Sequence, residues 1–219
     1  MENLPLEQYD YPTILLALSF VSYVWIRFRF SKRLSELGSA FVSNRFISQI
    51  LREENPFLNV SSVVLYLNYI LNAALFVSLL FQVKVLEHTL FEGLSGFLFV
   101  VLLLFLFDMV KLFSYWGSAF VFQTEGQTSQ YVLYLMSSRQ AAGLLLFLLN
   151  LLLAYSPLND FFLAFFALGL VLILSIHRML RSVPISQNLA GFNIMHFILY
   201  ICALEISPIL LGGKIFLNN

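Results

Sequence analysis

The sequence predicts an all-α, polytopic membrane protein, a bundle of about six transmembrane helices with one amphipathic helix at the cytoplasmic interface. Three observations carry that expectation. Of the 219 residues, 60% are hydrophobic and only 11% charged, whereas an ordinary soluble domain is about half apolar and about a quarter charged. Mean hydropathy is +0.86. The apolar residues also fall in long runs separated by short polar segments, and a helix that crosses a bilayer needs about 20 such residues in succession. The 24 Phe residues fit the same class, since an aromatic ring can face lipid without a hydrogen-bonding partner. Twelve basic and twelve acidic residues leave no net charge, so there is no basic field of the kind that draws nucleic acid. Nucleic acid is not an expected partner; the lipid bilayer is.

Six runs meet or approach the length of a span: 11–26, 61–83, 94–116, 140–156, 161–180 and 189–216. The first and fourth are short, and an added turn or a locally thinner bilayer would accommodate them. Orientation follows from Lys and Arg, which short cytoplasmic loops retain. With the N-terminus outside, nine of the twelve basic residues (Arg27, Arg29, Lys32, Arg33, Arg45, Arg52, Arg139, Arg178 and Arg181) lie on the inner side. Lys84 and Lys214 remain outside and Lys111 is within a span. Both termini are therefore expected outside the cytoplasm. The segment ahead of the first run carries acids and no Lys or Arg, so it lacks the positive region of a cleavable signal peptide, and the first run should be retained.

Between the first two spans, Leu34, Leu37, Phe41, Val42, Phe46, Ile50 and Leu51 recur at helical spacing, with Arg33, Glu36, Ser43, Arg45, Gln49 and Arg52 around the rest of the circumference. That pattern describes an interfacial helix over 33–52. It would serve either as a connector packed under the bundle or as a docking surface, in which Arg33, Phe41, Arg45, Phe46 and Arg52 would meet another protein. A second inner connection, 117–139, reads as a polar loop followed by a short amphipathic stretch. The one cysteine, Cys202, excludes an intrachain disulfide and a cysteine-rich metal site. The whole chain reads as one integral membrane domain, with no repeat and no soluble domain.

Ionisable residues inside spans are the strongest candidates for function, because each costs roughly 2.5–3.5 kcal/mol if it faces lipid alone. Asp108 and Lys111 interrupt the third span three residues apart, on adjacent parts of one helix face, so they can pair. Asn68, His177, Asn193 and His196 fall at similar inner depths on other spans and are candidates for the same layer. The cluster could be a salt bridge that fixes helix registry, or a proton or ion relay in which low dielectric makes a charge movable. Alternatively, Lys111 could snorkel to the interface while Asp108 faces a partner subunit. Glu205 in the sixth span would sit beside a kink at Pro208, whose ring disturbs the helix, and is a second candidate for an ion, substrate or subunit contact. His177 and His196 could ligate a haem on spacing alone, but two isolated histidines are poor support for one, and no cofactor or metal is expected.

Zinc-protease, Walker, nucleophile-elbow and paired-aspartate motifs are missing from the sequence, and most of its length is spent crossing lipid. No catalytic residues and no enzymatic activity are expected. The run His196–Phe197–Ile198–Leu199–Tyr200–Ile201–Cys202–Ala203–Leu204–Glu205–Ile206–Ser207–Pro208 resembles the ending, H-F-x-L-Y-x-C-x-L-E-x-x-P, of an uncharacterised bacterial membrane family known only as a domain of unknown function. The resemblance implies the inner membrane of a diderm bacterium and implies no activity. Tiny extramembrane mass, buried charges without a transport motif and the interfacial helix together point to a non-enzymatic subunit or scaffold of a larger membrane complex, with protein export, envelope biogenesis and energy coupling as candidate settings. The rival expectation is a small proton-coupled transporter or channel using Asp108, Lys111, His196 and Glu205.

Overall fold

The computed structural model describes residues 7–30, 59–82, 93–122, 125–156 and 160–189, and these residues are all-α. Five helices follow one another: α1 (Glu7–Arg29), α2 (Val60–Gln82), α3 (Gly93–Phe122), α4 (Glu125–Tyr155) and α5 (Asp160–Leu189). Each contains a stretch long and apolar enough to cross a membrane: Tyr11–Arg29, Val60–Phe81, Leu94–Gly117, Val132–Tyr155 and Phe161–Arg178. The chain is a multi-pass membrane protein. The expected sixth span (189–216) and interfacial helix (33–52), with Arg33, Phe41, Phe46, Arg45, Arg52, Asn193, His196, Glu205 and Pro208, lie outside the described residues.

Three helix boundaries correct the sequence reading. The expected inner connection over 117–139 is largely helix, because α3 continues to Phe122 and α4 already begins at Glu125. Hydropathy marks where a helix is apolar and says nothing of where its backbone hydrogen bonds stop. For the same reason α5 runs past the expected turn after 180, through a polar stretch, to Leu189.

The central pair is α2 and α4, which make the most extensive contact in the bundle, with α1 and α3 packed against both and α5 chiefly against α4. Their relative directions can be read from side-chain pairs. Gln140 of α4 bonds to Ser62 at the start of α2, and Asn150 bonds to Asn72 further along, so α2 and α4 run parallel. Tyr11 at the start of α1 meets Ser78 near the end of α2, and Asn72 reaches Ser19, so α1 is antiparallel to them. Tyr11 also lies against Phe97 at the start of α3, which sets α1 and α3 parallel. Successive helices from α1 to α4 thus run in opposite directions, as successive membrane crossings must.

Close approach of α2 and α4 depends on one glycine. A Cβ on Gly143 would stand 2.9 Å from Tyr69 Cα and 3.0 Å from Tyr69 Cβ, so only hydrogen fits where the two backbones meet. The α2 N-terminus is capped by Asn59, whose Oδ1 accepts from Ser61 N (3.4 Å) and Ser61 Oγ (3.2 Å), satisfying donors that the first turn leaves free. Buried apolar side chains such as Leu16, Ile26, Leu65, Leu75, Phe97 and Phe147 fill the space between helices. The outer faces of α3 and α5 present Phe99, Leu102, Leu106, Phe165, Phe166 and Ile173 outward, which is the surface a bilayer covers.

Candidate functional site

The interior of the bundle carries polar side chains in two groups along the α2–α4 axis. At the level of the first turns of α2 and the middles of α3 and α4 lies an ion pair: Arg139 Nη2 stands 2.9 Å from Asp108 Oδ1. Tyr66 Oη donates to the other carboxylate oxygen, Oδ2, at 2.9 Å. Three helices, α2, α3 and α4, are joined at one carboxylate. Asp108 and Arg139 are each 8% exposed, so the pair is withdrawn from solvent and lipid alike. Its charge-assisted bonds are of the short, strong kind.

The spacing along α3 explains how Asp108 comes to face inward. Phe97, Val100, Leu104, Asp108, Lys111 and Tyr115 repeat every three or four residues and form the inner stripe of the helix, while Leu98, Leu102, Leu106, Val110 and Phe113 form the outer one. Lys111 is buried on that inner stripe, with its ammonium 4.6 Å from the centre of the Phe107 ring, a cation–π distance. Both intramembrane charges singled out in the sequence are therefore interior. The partner not anticipated for Asp108 is Arg139, which the sequence reading placed in an inner loop. Arg139 instead belongs to α4, inside the run Ser137, Ser138, Arg139, Gln140, all four of which are buried. A polar tetrad beside an apolar run resembles a loop edge; the signal that could have found it is the sign of its charge, opposite to Asp108 and at the same depth.

Tyr69, one turn beyond Tyr66, lies within electrostatic range of Arg139 and Asp108, and of Arg178 from the middle of α5. Gln140 Nε2 donates to the Ser62 carbonyl at 3.0 Å and ties the start of α2 to α4. His177, proposed for the layer, is exposed on α5.

The second group is an amide ladder nearer the middle. Asn150 Nδ2 donates to the Asn72 carbonyl at 2.8 Å, and Asn72 Nδ2 donates to the Asn68 carbonyl (2.9 Å) and to Ser19 Oγ (3.3 Å). Asn68 Nδ2 donates to Ser22 Oγ, whose own proton goes to the Ser19 carbonyl. Asn68 thus joins α2 to α1. It is not bonded to Asp108. The acceptors Asn68 Oδ1, Gln140 Oε1 and Asn150 Oδ1 and the Tyr23 hydroxyl are buried without hydrogen-bond partners. Among the described residues no group of three or more His, Cys, Asp and Glu could hold a metal ion.

Helix count, multi-pass architecture and the buried third-span charges define a class, that of small polytopic bundles with an internal ion pair. Residues 12–216 match a family described as a domain of unknown function, DUF4271, and the chain belongs to that family. No curated protein and no solved structure matches it.

Proposed function

We propose that this protein is a non-enzymatic subunit or scaffold of a larger complex in a bacterial inner membrane, with the Arg139 end of the bundle toward the cytoplasm. The observation that carries the reading is the state of Asp108. Both of its oxygens are engaged, by Arg139 and Tyr66, and it is 8% exposed. A carboxylate so committed holds three helices in register; a relay group needs access to water and a vacancy for its proton. The orientation is supported by Arg27 and Arg29 in the last turn of α1, at the same end as Arg139, since cytoplasmic flanks retain basic residues. Protein export, envelope biogenesis and energy coupling are the settings in which such a subunit would serve. Purification in a mild detergent after cross-linking in cells tests the proposal. A stoichiometric membrane partner is expected, and a monodisperse monomer without one contradicts it.

A second reading, a small proton-coupled transporter or channel using Asp108, Lys111, His196 and Glu205, draws support from the unpartnered amide oxygens of Asn68, Gln140 and Asn150. Polar groups left open in a dry interior are sites that water could fill. Proteoliposomes distinguish it: a pH- or voltage-driven flux that disappears in Asp108→Asn favours transport, and no flux above protein-free vesicles removes it.

A further inference from the structure

The amide ladder is short of donors, and its own bonds fix the shortage. Asn150 Nδ2 donates to the Asn72 carbonyl and Asn72 Nδ2 to the Asn68 carbonyl, and a carbonyl can only accept. Asn68 Nδ2 donates to Ser22 Oγ, whose proton is spent on the Ser19 carbonyl. None of these amides can be turned over without setting oxygen against oxygen. Asn68 Oδ1 and Asn150 Oδ1 therefore face no donor, and the Tyr23 hydroxyl beside them is also without a partner. All three oxygens are fully enclosed in this arrangement of the helices. A buried acceptor in that state forfeits its hydration and gains nothing in return, which favours any arrangement that lets water back.

Across the seam stands α1. Among the described residues it meets α2 and α4 through uncharged polar side chains at four levels: Ser22 with Asn68, Ser19 with Asn72, Tyr11 with Ser78 and Thr13 with Tyr155. Water can replace such bonds one for one. The rest of the bundle is held differently, by the Asp108–Arg139 ion pair and Tyr66, which tie α2, α3 and α4 to one another. The Thr13–Tyr155 bond lies at the end of the bundle farther from the ion pair and is already open, with Tyr155 57% exposed. Asn150 lies on α4 only about 7.5 Å before Tyr155.

We propose that α1 is a movable wall: the seam between it and the α2–α4 pair opens from the Tyr155 end and admits water to the amide ladder, while the ion pair holds α2, α3 and α4 together. Water fits this chemistry because it brings donors without charge. A cation would need a counter-charge, and the Asp108 carboxylate is already engaged by Arg139 and Tyr66. Leu16 and Ile26, buried on the inner face of α1, favour closing again once water has entered, since wetting them is unfavourable. The opening requires neither the subunit reading nor the transport reading above.

Thiol labelling of the full-length protein in liposomes tests the proposal, because a cysteine reacts with N-ethylmaleimide as its thiolate and so only where water reaches it. In a Cys202→Ser background, Ser19→Cys and Ser78→Cys lie in the seam, whereas Ala74→Cys and Ala164→Cys lie in the apolar core. All four positions are at most 2% exposed, so a static bundle protects them alike. The seam pair is expected to react about tenfold faster than the core pair or more, through local opening. Asn150→Leu, which removes one orphaned oxygen, should slow Ser19→Cys. A Ser19→Cys rate as low as that of Ala74→Cys means that the seam stays dry and overturns the proposal. Fast reaction at all four positions means that the whole bundle loosens and overturns it too, as does a Ser19→Cys rate undiminished by Asn150→Leu. These rates report neither a partner nor a flux, so they stand apart from the tests of the two readings above.

Discussion

At the scale of single residues, the account turns on Asp108 and Arg139. Removing either charge leaves the other buried without compensation, a loss of about 3–5 kcal/mol. Removing both leaves neither member of the pair as an uncompensated charge. We therefore expect Asp108→Leu and Arg139→Met each to be strongly destabilising, and the double variant to be less so than either alone. Equilibrium unfolding in mixed micelles measures the coupling, and simple additivity would show that the 2.9 Å pair contributes nothing. Asp108 and Lys111 were legible as anomalies because a charge inside an apolar run is conspicuous. Arg139 was not, since Ser137, Ser138 and Gln140 around it give α4 the composition of a loop at the point where it is most buried. Burial of a polar residue is decided by the partner that meets it, and a partner on another helix leaves no local mark.

At the scale of helices, the α2–α4 contact makes a sharper prediction from two glycines. Gly143→Ala places a methyl 2.9 Å from the Tyr69 backbone, and overpacking of this kind costs about 1–3 kcal/mol. Gly169→Ala, with nothing within 4 Å of the added carbon, should be neutral or stabilise α5 by up to about 1 kcal/mol through helix propensity. The same substitution should thus act with opposite signs, as read from the two Tm values. Asn150→Leu should be milder than loss of the ion pair. Hydrogen bonds between membrane helices are worth about 0.6 kcal/mol on average and up to about 1.7, and this change also removes one unpartnered oxygen. A loss as large as that of Asp108→Leu would mean that the amide ladder, not the ion pair, dominates the bundle. Spans two, three and five could be placed in the sequence because their apolar runs are long. The start of α4 could not, and neither could the extensions of α3 and α5, because helical hydrogen bonding continues through polar sequence that hydropathy treats as an end.

At the scale of the whole molecule, the helix directions follow from contacts between residues far apart in sequence. Ser19 and Asn72, Tyr11 and Ser78, Gln140 and Ser62 fix an alternating bundle. Its buried charges gather toward one end. Arg27 and Arg29 are exposed at that same end, on α1, and in a membrane lipid would surround the outward faces of α1, α3 and α5. Membership of the DUF4271 family over residues 12–216 is in keeping with a resemblance legible at the C-terminal end of the sequence, while the setting in which the family works is not written in composition or periodicity. Labelling of engineered cysteines in intact cells tests the arrangement most directly. In a Cys202→Ser background, Ser156→Cys, just past the end of α4, should react with a membrane-impermeant maleimide, whereas Phe30→Cys, just past the end of α1, should react only after the cells are opened. Labelling of both positions from the same side, or of Phe30→Cys alone from outside, would contradict the account.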